Sequence, residues 1–171
     1  MKIENRRVLL VIAALAVVAA AVGGYALIGR NGQPALAERQ AEIADKGQQV
    51  MPFDLERTTH RFTKTATGGV QTVTADDPAD AQQVKLVREH LAMEAANFRQ
   101  GDYGDPASIH GTEMPGLREL EQGHSRIDIR DTPITAGSQV TYTTSDPLLI
   151  KALHAWFDAQ VTDHGRHAEH G

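Results

Sequence analysis

The sequence predicts an α+β protein: two ββα units forming a four-stranded antiparallel sheet with two helices packed on one face, preceded by an N-terminal transmembrane helix. Three observations predict it. Two pairs of short segments rich in β-branched residues are each broken by a Gly-containing turn. Each pair runs into an acidic-Pro stop followed by apolar residues at three- and four-residue steps. A separate block of 21 uncharged residues, Val8 to Ile28, opens the chain.

Residues 1–30 read as a signal anchor. About 20 apolar residues cross the hydrocarbon core as a helix. Lys2, Arg6 and Arg7 precede the run, and the positive-inside rule leaves that end in the cytoplasm. The expectation is a single-pass inner-membrane protein with an extracytoplasmic (periplasmic) C-terminal domain. Ala19-Ala20-Ala21 and Ala35-Leu36-Ala37 satisfy the small-x-small pattern of a cleaved secretory signal. The anchor is favoured because the apolar run exceeds an ordinary signal core. Residues 31–54 read as a tether with a short helix, since Leu36, Ile43 and Val50 give only a thin apolar stripe.

The folded domain is expected over residues 55–165. Thr58 to Thr65 and Val70 to Ala75 form the first hairpin around Thr67-Gly68-Gly69. Asp76-Asp77-Pro78 ends it and starts a helix from about 79 to 99, with Val84, Val87, Leu91, Ala95 and Phe98 on one stripe. A long Gly/Pro/Asp loop follows, closing in a helical turn over 116–122. Ser125 to Arg130 and Gln139 to Thr144 supply the second pair of strands. Ser145-Asp146-Pro147 starts the last helix, about 147 to 163, and residues 166–171 read as a frayed histidine-containing tail. The repeated order suggests an internal duplication of roughly 65 residues.

Charge and composition narrow the partners. Removing Lys2, Arg6, Arg7, Arg30 and Glu4 from the totals of 17 basic and 22 acidic residues leaves 13 against 21, a net charge of −8 beyond residue 30. That field repels nucleic acid and concentrates cations. With no cysteine, neither disulfides nor thiolate metal sites exist. The open face of the sheet is a surface for a homodimer or a membrane-complex partner.

Eight histidines are the compositional oddity. His60/His124 and His90/His154 are each 64 residues apart, but helix phase argues against a symmetric four-histidine site. The stronger constellation is local. His90 and Glu94 lie one helical turn apart, and His110 and Met114 sit on the loop after that helix, with Asp102 and Asp105 upstream. Imidazole with thioether suits copper, and imidazole with carboxylate suits zinc. His60, in phase with Phe62, reads as a satisfied core histidine, and the tail histidines as an opportunistic metal contact.

For catalysis there is no cysteine nucleophile, G-x-S-x-G elbow, P-loop or G-x-G-x-x-G. The expectation is a membrane-anchored binding protein that captures a transition-metal cation or small ligand through His90, Glu94, His110 and Met114. The alternatives are a non-catalytic partner-binding module of a membrane complex, and a hydrolase or lyase using a His/carboxylate pair.

Overall fold

Alternating burial in two hairpins sets the architecture. The computed structural model describes residues 35–171, so the expected membrane anchor lies outside the described residues; among those described, no helix is long and apolar enough to cross a membrane. Helix α1 spans 35–50. Strands β1 (Thr58–Thr65) and β2 (Gly68–Ala75) are followed by α2 (Ala81–Arg99). Two short helices come next, α3 (Gly104–His110) and α4 (Leu117–Gly123), and then β3 (Asp128–Ile134), β4 (Gly137–Thr143) and α5 (Pro147–His164). The chain closes with β5 (Ala168–His170).

The fold is α+β, but the sheet has five strands, not four, in the order β3-β4-β2-β1-β5. The four expected strands are antiparallel, with the hairpins joined through β2 and β4. The fifth comes from residues expected to fray: β5 pairs in parallel with β1, setting His60 opposite Ala168 and Phe62 opposite His170. Backbone groups along the β1 edge find partners there, and Ala168 is buried. The expected tether contributes too, because Ile43, Met51 and Phe53 belong to the core.

Both long helices cover one sheet face. Asp80 caps α2 by accepting from the Gln83 N–H, and Asp146 caps α5 by accepting from the Leu148 N–H, with Pro147 in the first turn. Phe62, Val73, Val140, Tyr142 and Ile129 point toward them, while Thr59, Arg61, Thr72, Thr141 and Arg130 occupy the opposite face. Trp156 on α5, with no exposed surface, anchors the centre. Its ring meets those of Phe98, Tyr103, Tyr142 and Phe157 at 5.8–6.0 Å between centroids, separations typical of favourable aromatic pairs.

The long loop between α2 and β3 is largely helical. Asp102 accepts from the Gly104 N–H to start α3, which buries Pro106, Ile109 and His110. Gly116, at φ +80°, precedes α4; a Cβ there would lie 2.1 Å from the Ala152 carbonyl oxygen on α5. That approach lets α4 pack on α5.

Candidate functional site

Two helical stripes of matching geometry face each other under the sheet. On α2, His90, Glu94 and Phe98 recur every four residues; on α5, Trp156, Gln160 and His164 do the same. Residues so spaced share one side of a helix. Together with His60 and Gln71 from the sheet and Asp105 and His110 from α3, they line one cavity. Met51, Phe62 and Leu91 supply apolar wall. The cavity holds about 50 Å³, room for a few water-sized groups. Sites for drug-sized ligands are several times larger, about 300–1,000 Å³.

Three of the four expected site residues therefore meet: His90, Glu94 and His110. Met114 does not join them. It is buried among apolar neighbours in the core and contributes no wall to the cavity. The short helix α3 carries His110 inward, whereas Met114 lies beyond Gly111 in the turn leading to α4.

The site also contains groups the sequence did not nominate. His60 is buried, as its phase with Phe62 implies, but it is not satisfied: its Nδ1 has no hydrogen-bond partner. His164, counted with the tail, is the last residue of α5. It stacks on His60 at 5.3 Å and meets His110 edge-on at 4.9 Å. The four-residue step from Trp156 through Gln160 was the signal that could have found it. Asp105 faces Glu94 because α3 folds back over α2 rather than wandering as a loop.

Burial controls the protonation of these groups. Desolvation lowers His60 to about 4; a hydrogen bond to the His167 backbone opposes this, and neighbouring His90, His167 and His110 reinforce it. Burial likewise holds His164 well below the usual imidazole range, helped by His60, His110 and His167. His90 is lowered by burial, partly offset by Asp105. Burial pushes Glu94 up to about 8, reinforced by the charge of Asp105 and a hydrogen bond to it, with Asn97 opposing. Burial thus favours the neutral form of His60, His90 and His164 and the protonated form of Glu94.

The remaining histidines already have partners, His110 within the cavity wall and the others outside it. His110 Nδ1 lies 2.8 Å from the Asp163 carboxylate, both side chains being buried, so that carboxylate fixes the ring. His154 Nε2 lies 2.9 Å from the Gly68 carbonyl and 3.1 Å from that of Thr65, at the β1–β2 turn. His124 Nδ1 lies 2.8 Å from the Glu121 carbonyl. The 64-residue spacing accordingly builds no symmetric site: His60 and His90 enter the cavity, while His124 and His154 make backbone contacts. Among the described residues, no three His, Asp or Glu side chains are already grouped to hold a metal ion.

Fold and site together define a class: an α+β domain with a small cavity lined by imidazoles, carboxyl groups and apolar side chains. No protein-family model matches the chain, and no curated protein or solved structure matches it.

Proposed function

We propose that this chain is a membrane-anchored extracytoplasmic binding protein that captures a single transition-metal ion in the histidine cavity. The observation that carries the reading is a pair of buried imidazole nitrogens, His60 Nδ1 and His90 Nδ1, that lack any partner while lining a cavity of ion-plus-water size. An orphaned buried polar atom costs about 1–3 kcal/mol, and a bound ion recovers it. The lowered pKa of both rings keeps lone pairs available at neutral pH. Imidazole suits zinc and copper alike. Glu94 holds a proton against Asp105 and so supports the site as a neutral neighbour rather than as a ligand. The net negative charge beyond residue 30 draws cations toward the protein. Anchoring rests on the 21-residue apolar run behind Lys2, Arg6 and Arg7.

Equilibrium dialysis of the full chain in detergent, purified without a histidine tag, tests the reading. One zinc or copper ion per chain is expected. His60→Gln/His90→Gln should lose it, while His167→Gln/His170→Gln should keep it. Metal content unchanged in the first variant would overturn the assignment. Protease added outside intact spheroplasts should remove the folded domain if the anchor orients as proposed.

One observation favours a second reading. A proton-bearing carboxyl hydrogen-bonded to another carboxyl, beside neutral imidazoles, is also how acid–base sites are built. A hydrolase or lyase using Glu94 as general acid would lose activity on Glu94→Gln in a screen of esters, amides and phosphates; a chain inactive on all of them removes it.

A further inference from the structure

The cavity's donors differ in kind, and the difference selects the ion. All eight histidines lie among the described residues, yet only His60 and His90 present a buried ring nitrogen without a hydrogen-bond partner. Both side chains are more than nine-tenths buried, at 3% and 8% exposure, and both rings pack against Phe53, with centroids 5.9 and 5.5 Å away. His110 is held by Asp163, and His164 packs its ring on His60. A tetrahedral zinc site takes four donors, and copper(II) prefers a tetragonal set of nitrogen and oxygen. Among the described residues, no grouping of three His or carboxylate residues provides either start.

A methionine does line the cavity, from another part of the chain than expected. Met51, just after α1, lines it and is 8% exposed. Thioether sulfur is a soft donor that selects copper(I), and a monovalent d10 ion accepts two or three ligands where zinc seeks four. The apolar wall of Phe62 and Leu91 also suits an ion of low charge, because desolvating a single charge costs less than desolvating two.

We infer that the cavity is a copper(I) site in which His60 and His90 supply the nitrogens and Met51 the sulfur. This rests on the metal-binding reading above and narrows it to one oxidation state and one ligand set. It also reassigns the sulfur ligand from Met114 to Met51. His110, held by Asp163, then lines the same cavity without serving as a ligand.

The test uses the full chain in detergent. Copper(I), kept reduced by ascorbate, is titrated in competition with a chromophoric copper(I) chelator; silver(I) serves as the redox-inert probe and zinc(II) as the comparison. One copper(I) or silver(I) per chain is expected, bound on the order of 100-fold or more tightly than zinc(II). His60→Gln and His90→Gln should each abolish the competition. Met51→Leu, which conserves volume, should weaken copper(I) and silver(I) on the order of tenfold or more. Should the histidine variants misfold, as seen by circular dichroism, X-ray absorption of the copper(I)-loaded wild type decides, with one sulfur in the first coordination shell expected. Zinc bound as tightly as copper(I), a shell with no sulfur, or an indifferent Met51→Leu overturns the copper(I) assignment and leaves the metal-cavity reading standing. Failure of all three ions to bind overturns both.

Discussion

A carboxyl group buried against a second carboxyl keeps its proton far above the ordinary carboxylate range, and the protein should register that in its stability. Glu94 shifts from 4.5 to about 8 on folding, so its contribution is full below pH 4.5 and is lost as pH rises toward 8. His60 behaves in the opposite sense. Its value drops from 6.5 to about 4, so its contribution is full above pH 6.5 and is lost as pH falls toward 4. Urea unfolding across this range should therefore show Glu94→Gln gaining on the wild type between pH 4.5 and 8, by on the order of 1–4 kcal/mol, since each pH unit is worth at most about 1.4 kcal/mol. His60→Leu should lose less stability than the wild type between pH 6.5 and 4. A constant offset from wild type at every pH would mean that neither group is perturbed. At this scale the cavity-lining residues His90, Glu94 and His110 stood out in the sequence, because a helical period and an odd loop single them out. It concealed His60 and Met51, whose relevance depends on which distant surfaces the fold brings against them.

Among the elements, glycines at the α3–α4 junction separate backbone strain from packing. Gly111 and Gly116 both have positive φ, +93° and +80°, but a Cβ at Gly111 meets open space while one at Gly116 collides with the Ala152 carbonyl. Gly111→Ala should cost about 1 kcal/mol for the backbone alone, and Gly116→Ala at least about 2 kcal/mol, read as the difference in thermal or urea midpoints. Equal costs would mean that α4 can move off α5. Asp146→Ala, which removes the α5 cap, should cost about 1 kcal/mol in the same assay. Helix stripes and the acidic-Pro start of α5 were legible because each is a local rule, whereas α2 begins at Ala81 behind an Asp80 cap, past the expected Asp76-Asp77-Pro78 start. The second hairpin was legible only approximately: β3 begins three residues later than its alternation suggests, because His124–Arg126 forms a 3-10 turn first. It also runs through Pro133, which an edge strand tolerates where no ladder hydrogen bond is required. Helix α3 escaped notice because seven residues containing Gly and Pro carry no helical signal; its buried side, not its propensity, holds it in place.

At the scale of the whole molecule, four strands and two helices followed from a repeated local pattern, whereas β5 depends on a contact no local rule reveals. Removing residues 166–171 deletes the three β1–β5 residue pairs, the burial of Ala168 and the ion pair of Arg166 with Glu56. The ion pair is exposed and worth under about 1 kcal/mol, so strand pairing and burial should dominate the loss. Hydrogen exchange should then speed up at His60–Phe62 in β1 while the amides of β4 stay protected. Unchanged protection in β1 would show that the last strand contributes nothing in solution. The same pairing carries a kinetic consequence. Because β5 returns to β1 across roughly a hundred residues, closing that loop is among the costlier steps entropically. The edge beside His60 is thus expected to zip up after the hairpins and helices have assembled, so the side of the cavity that His60 lines is the last to be sealed.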